Sequence, residues 1–463
     1  MSAWGNRSSS PLLRRIDESK STTKPITSIT ILPIKTWSQP NETHLLNIIS
    51  QGHLTDVNVG TKRLYDPKSW GVALSTTKNA SVTHLNIGDT TMKSKGLNIV
   101  LENGTQCDTV KYINLCDKGL TGINNGDVVR KFPNVEEVDF SRNLGLEFSG
   151  AITFKNVDLS ETGLEFGRVA FGEGCEVVAF RDNKFSEFDG EVVLPTGLGG
   201  IKSLNVNGCK MTSRSLRRVI EGFRGGVLNA GKTVSGKVER GTFKDLDLEG
   251  LDVIKIQGLE LGEVQGELVE AIERGGTFGE VDLSDVKLGE WEVGNVVKVL
   301  SFEGVEVLRF FGGRLGDCKA GWWGDEAGGR EEWLKAVEVG LKEGRWRVLD
   351  LGGNNLPSEV VNRVLQAAAD TGGKEGGGRM EVLEIGGNTM NQRAFELVKE
   401  AAGKGVDVAY DVPERNQSDN IVANASVERK KGGGGVFGSG VEVTGGGVAE
   451  IMKQAGWKMG NFE

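Results

Sequence analysis

Trp346-Arg-Val-Leu349-Asp-Leu351-Gly-Gly-Asn354-Asn-Leu356 and Met380-Glu-Val-Leu383-Glu-Ile385-Gly-Gly-Asn388-Thr-Met390 share one frame. In it, apolar-xx-apolar-x-apolar is followed by two residues, an asparagine, one residue and a last apolar side chain. The alternation in the middle suits a short strand with one buried face. Working backwards, the frame starts again at Val305, Phe278, Phe243, Ile201, Cys175, Phe154, Val135, Val110, Val82, Leu54 and Ile26, thirteen copies in all. The starts at 26, 54, 82 and 110 are each 28 residues apart, a regularity that chance apolar runs do not produce.

The tracts between frames read as helices packed behind the strands. Ser213 to Phe223 places Leu216, Val219, Ile220 and Phe223 on one face, and Glu331 to Leu341 is similar. A unit this small cannot bury its apolar face alone, so neighbours must stack. Over positions 26 to about 412 the pattern resembles the leucine-rich-repeat family, and the 28-residue spacing is similar to its ribonuclease-inhibitor-like branch. The resemblance implies an α/β solenoid, a horseshoe with a parallel β-sheet on the concave face and helices or extended turns on the convex face. It also implies that the frame asparagine hydrogen-bonds backbone groups of the turn, with Cys209 structural at the equivalent place.

Three stretches depart from regularity. Starts at 135, 154 and 175 lie only 19 and 21 residues apart, too close for a full helix, which predicts extended connections. The gaps 201–243 and 305–346 are too long for one unit and imply a degenerate hidden repeat or an inserted loop. The frame at Phe243 can also be drawn from Leu251, so the register between 212 and 261 stays open.

Composition is compatible with a real core: 38% of the 463 residues are hydrophobic and 26% charged. The 68 glycines, spread among apolar patterns, suit tight turns. Net charge is −9 and uneven: residues 1–100 hold 12 Lys+Arg against 6 Asp+Glu, leaving −15 for the rest. An acidic body disfavours non-specific nucleic-acid binding and favours basic partners. Five cysteines without paired spacing or a CxxC imply neither a disulfide framework nor a zinc site, and fit reduced thiols in the cytoplasm. Neither a signal peptide nor an 18-residue apolar run is present, so secretion and membrane spanning are not expected.

The ends differ in kind. Residues 1–25 are Ser/Thr/Arg/Lys-rich and read as a flexible segment, 26–412 as the solenoid, and 413–447 as a glycine-rich linker. The last segment, 448–463, places Val448, Ile451, Met452 and Ala455 at helical spacing and reads as a short amphipathic motif or a fraying tail.

One motif points to nucleotides. Gly226-Val-Leu-Asn-Ala-Gly231-Lys232-Thr233 fits the phosphate-loop pattern, in which Gly226, Gly231, Lys232 and Thr233 would serve phosphate and metal. The mechanism needs a helix to open right after the lysine. The tract that follows is glycine-broken, so a coincidental inter-repeat loop is the favoured reading. The histidines, His44, His53 and His84, all lie in the N-terminal repeats, with His44 on a helix and His84 on the concave face. No catalytic residue, metal site or cofactor is expected.

The concave face carries more information. The residue between the second and third apolar positions points away from the core. There stand Thr30, Asn58, Asn86, Asn114, Asp139, Asp158, Ala179, Asn205, Asp247, Asp282, Arg309, Asp350 and Glu384, with Glu137, Asp245 and Glu280 two residues earlier. This stripe either binds a basic protein or merely keeps an exposed sheet soluble. The expected function is a non-catalytic protein-interaction scaffold, monomeric by itself, with Asn114, Glu137, Asp139, Asp158, Asn205, Asp245, Asp247, Glu280, Asp282, Asp350 and Glu384 as partner-binding candidates. The alternative is a regulator of an enzyme such as a nuclease or small GTPase. Trp322-Trp323, in a glycine-flanked insert, form a second binding surface or fold over the core.

Overall fold

The computed structural model describes residues 28–31, 37–52, 54–75, 81–89, 91–185, 187–188, 191–234, 236–287, 291–315, 326–371 and 380–410. The segments 1–25, 413–447 and 448–463, together with His53, Cys318 and Trp322-Trp323, lie outside the described residues. The chain divides into two compact units, Met1–Gly276 and Thr277–Glu463.

The first unit holds ten strands of parallel sheet in chain order. They are β1 (Ser28–Thr30), β2 (Asp56–Asn58), β3 (His84–Asn86), β4 (Tyr112–Asn114), β5 (Glu137–Asp139), β6 (Asn156–Asp158), β7 (Val177–Ala179), β8 (Ser203–Asn205), β9 (Val227–Asn229) and β10 (Val253–Lys255). Equivalent frame positions stand side by side without a slip, as in Asn86 beside Asn114, Asn114 beside Asp139 and Asp139 beside Asp158. The second unit holds five more: β11 (Phe278–Asp282), β12 (Val305–Arg309), β13 (Val348–Asp350), β14 (Val382–Glu384) and β15 (Asp407–Ala409). These pair in the same register, Asp282 beside Arg309, Arg309 beside Asp350 and Asp350 beside Glu384.

Behind the sheet of the first unit lie α1 (Gln39–Ser50), α2 (Pro67–Leu74), α3 (Lys93–Glu102), α4 (Asn125–Lys131), α5 (Ser213–Gly222) and α6 (Gln265–Gly275). The second unit has α7 (Val293–Leu300), α8 (Glu326–Glu343), α9 (Ser358–Thr371) and α10 (Gln392–Gly403). Side-chain caps start several of them: Asp66 accepts from Ser69 N, Thr212 from Ser215 N and Asn391 from Ala394 N. Parallel strands backed by helices, one repeat after another, make each unit a stretch of leucine-rich-repeat solenoid.

Between β5 and β8 the short repeats hold extended backbone and two 3-10 turns, Phe166–Arg168 and Leu198–Gly200, in place of helices. Ile123–Asn124, ahead of β5, pairs with Phe148–Ser149, just after it, as a small parallel sheet. Phenylalanines pack the core of these repeats. The rings of Phe140 and Phe154 lie 6.1 Å apart and those of Phe166 and Phe180 4.9 Å apart, all four buried.

The frame asparagine ties each turn to the one before. Asn143 Nδ2 donates to the carbonyl oxygens of Leu115 (2.8 Å) and Phe140 (2.7 Å), while its Oδ1 accepts from Lys118 N and Leu120 N, both at 3.0 Å. Asn183, Asn354 and Asn388 do the same in their own repeats. Cys209 Sγ takes the equivalent place against Phe180 O at 2.9 Å, and burial pushes its thiol up to about 12.

A second tie is cationic. Lys131, at the end of α4, is buried, and its Nζ donates to Gly71 O (2.8 Å), Asn103 O (2.5 Å), Thr105 O (2.8 Å) and Ser75 Oγ. One ammonium thus holds the C-terminal ends of the two preceding helices, where carbonyl groups gather partial negative charge.

The long gaps resolve differently. The gap after Ile201 conceals a full repeat, β9, whose first position is Gly225 in place of an apolar residue. The frame of the next strand, β10, starts from Leu251, and the frame drawn from Phe243 is not a strand. The gap after Val305 contains no additional strand among the described residues, and β12 pairs directly with β13.

Candidate functional site

The open face of each sheet is built from the frame's third, fifth and seventh positions, which alternate away from the core. At the fifth position one short polar side chain recurs because the strand end needs it. Asn58, Asn114, Asp139, Asp158, Asn205, Asn229, Asp282 and Asp350 each accept, through Oδ1, the N–H two residues on, at 2.8 to 3.3 Å. The turn asks for an acceptor oxygen and is indifferent to whether an amide or a carboxylate supplies it. Much of the acidic stripe therefore has a structural role before any other.

Asp245 and Asp247 leave the stripe. Both are exposed in the turns ahead of β10, Asp245 with φ +57°. Asp247 Oδ1 still accepts from Glu249 N at 2.9 Å, so the local turn copies the frame without the strand, with Phe243, Leu246 and Leu248 buried beneath it. That mimicry is why the pattern also fits from Phe243.

In the first unit, Asn114, Glu137, Asp139 and Asp158 come together on three adjacent strands. Asn114 Nδ2 donates to Asp139 Oδ2 and to Tyr112 Oη, both at 3.2 Å. Partial burial, with Asp139 and Asp158 beside it, pushes the Glu137 carboxyl up to about 7 against a hydrogen bond from Asn156. Burial likewise raises Asp158, against hydrogen bonds from Ser160. Asn205 stands on β8, separated from this cluster by the apolar Val177 and Ala179 of β7. His84 is exposed, its Nδ1 3.1 Å from Asp56 Oδ1.

In the second unit an arginine sits among the carboxylates. Arg309 Nε is 3.0 Å from Glu280 Oε1, and its Nη1 lies 3.4 Å from Glu384 Oε1 and 3.8 Å from Asp350 Oδ2. Burial, followed by the charge of Glu384, pushes Asp350 up to about 6 even though Arg309 and the Gly352 N–H favour its ionised form. Phe311, two residues beyond Arg309, completes this face and stays 39% exposed. Strand alternation carried on to the frame's seventh position would have found it.

The phosphate-loop motif has no phosphate-loop structure. Val227–Asn229 is β9, a sheet strand and not the inter-repeat loop expected, and Lys232 follows in a left-handed turn with φ +52°. Thr233 is buried and its Oγ1 donates to Ala230 O at 2.7 Å. No helix opens at Lys232, so Gly226, Gly231, Lys232 and Thr233 have neither the helix N-terminus nor the free hydroxyl that the chemistry requires. Among the described residues, no group of His, Cys, Asp and Glu is arranged to hold a metal ion, and no helix is long and apolar enough to cross a membrane.

No protein-family model matches the sequence, and no curated protein matches it. Among solved structures, an internalin of Listeria monocytogenes is similar to 87% of this chain and 94% of its own, with 10% sequence identity and a TM-score of 0.36. A likeness that distant transfers neither partner nor activity.

Proposed function

We propose that this protein is a non-catalytic interaction scaffold that binds a basic protein partner on the open face of its sheet. The observation that carries this reading is the crowding of Glu137, Asp139 and Asp158 on adjacent strands, with the Glu137 carboxyl held near 7. A partner's lysine or arginine would relieve that crowding and draw Glu137 into its ionised form. Asn114, beside Asp139, belongs to the same surface, whereas Asn205 lies at its margin.

The 28-residue, helix-backed repeats carrying β1 to β4 favour placing the chain near the ribonuclease-inhibitor-like branch. Cys107, Cys116, Cys175 and Cys209 are free thiols, three of them buried, which suits the reducing cytoplasm. We read the chain as monomeric by itself.

The test keeps every turn acceptor and removes only charge: Glu137→Gln, Asp139→Asn and Asp158→Asn in one chain. Affinity capture with wild type and this variant, followed by titration of each purified captured protein, should give basic partners whose binding the variant weakens at least tenfold. Equal binding by both chains would leave the stripe as a solvated face.

A further inference from the structure

The open face of the second unit carries an aromatic platform fixed by its backbone. Phe311 O accepts from Asp285 N at 2.7 Å, and the next residue, Gly312, donates its N–H to Gly352 O at 2.9 Å, so both neighbouring repeats clamp the peptide that carries the ring. The ring itself lies against a glycine pair. A Cβ on Gly352 would stand 2.9 Å from Phe311 Cδ2, and one on Gly353 would stand 3.2 Å from Cζ. A side chain at Gly352 would displace the ring, and one at Gly353 would crowd it. An apolar ring held in place yet 39% exposed has little ordering entropy left to lose on binding, which is the property of an interface anchor.

The surroundings of the ring define what it would bind. Asp350 Oδ1 and Phe311 Cδ2 both lie within 3.2 Å of the point where a Gly352 Cβ would stand, so carboxylate and ring edge share one neighbourhood. Glu384 follows on the adjacent strand and Asp282 on the other side. Glu280, Asp350 and Glu384 all lie within reach of the guanidinium of Arg309. An aromatic face beside a carboxylate cluster is complementary to a cation carried on an apolar stem.

We propose that Phe311 is the anchor of a second-unit docking surface, receiving a lysine or arginine side chain of a protein partner over its ring while the half-buried Glu384 meets the charge. This rests on the scaffold reading and deepens it. It names the side chain recognised and a residue that the charge pattern alone does not include.

The test uses the full chain and a fluorescein-labelled arginine–glycine repeat peptide, followed by fluorescence anisotropy. Phe311→Ala should weaken binding about 3- to 30-fold, the range that a cation–π contact supports. Phe311→Trp should restore it, and the salt dependence should be the same in all three chains because no charge has changed. A leucine–glycine peptide of equal length should bind far more weakly. If Phe311→Ala binds the arginine peptide like wild type while the first-unit variant with Glu137→Gln, Asp139→Asn and Asp158→Asn has lost it, the anchor is wrong and the acidic-face reading survives. If the leucine peptide binds equally well, the ring takes an apolar group and the proposal falls. If wild type binds no arginine peptide, both readings fall together.

Discussion

The amide of Asn354 donates to the carbonyl oxygen of Phe310 at 2.8 Å, across 44 residues of chain. It joins the ends of two neighbouring strands, and the same Nδ2 also reaches Gly352 O at 3.2 Å. The donor is what matters here, because the partners are carbonyl groups that have lost access to water. Asn354→Asp, nearly identical in shape, should therefore destabilise the second unit by about 2–4 kcal/mol, as should Asn354→Ala. Urea denaturation checks this, and an unchanged midpoint for Asn354→Asp would contradict the donor role.

At the fifth frame position the requirement is reversed. Asp158 serves the turn as an acceptor, from Ser160 N at 2.8 Å. Asp158→Asn should shift stability by no more than about 0.5 kcal/mol, whereas Asp158→Ala should cost about 1 kcal/mol. The two variants separate a role in the turn from a role in charge, and their unfolding midpoints decide between them.

Glu137 makes stability depend on pH. Its folded-state value is about 7 against an ordinary 4.5, with burial the main cause, so the folded protein binds the extra proton between these two values. The stabilisation from the protonated form is complete below pH 4.5 and is lost as pH rises through 7. Glu137→Gln should match wild type near the lower limit and exceed it by about 1–3 kcal/mol above the upper one. Chemical denaturation at both ends of the window measures the difference, and an equal gain at both would show that ionisation is not the cause.

Lys131→Met keeps the length of the side chain and removes the ammonium that serves Gly71 O, Asn103 O and Thr105 O. Three carbonyl groups lose a charged donor, for an expected loss of about 2–4 kcal/mol. Hydrogen exchange should show the loss first in the turns after α2 and α3. Exchange that rises evenly over the whole first unit would argue against a local tie.

Periodicity made the architecture legible because the fourth frame position is apolar and buried in each strand of the parallel sheet. It failed at β9, where Gly225 stands in the apolar first position and the following residues imitate a phosphate loop. It failed at Asp247, where an identical turn forms without a strand. Alternation placed Glu280, Asp350 and Glu384 on the open face, but not the reach of Arg309 to all three, which depends on side-chain geometry across four strands. The Lys131 tie left no trace in the pattern, since its acceptors are mostly backbone oxygens and any residue can supply those.

The turn at the fifth position accepts Asn and Asp alike, and their codons differ by a single base. Mutation can therefore recolour the open face from neutral to acidic, one repeat at a time, while each turn keeps its acceptor. A lineage carrying this solenoid is free to trade one partner for another by drift, because the oxygen that shapes each strand end is inherited under either spelling.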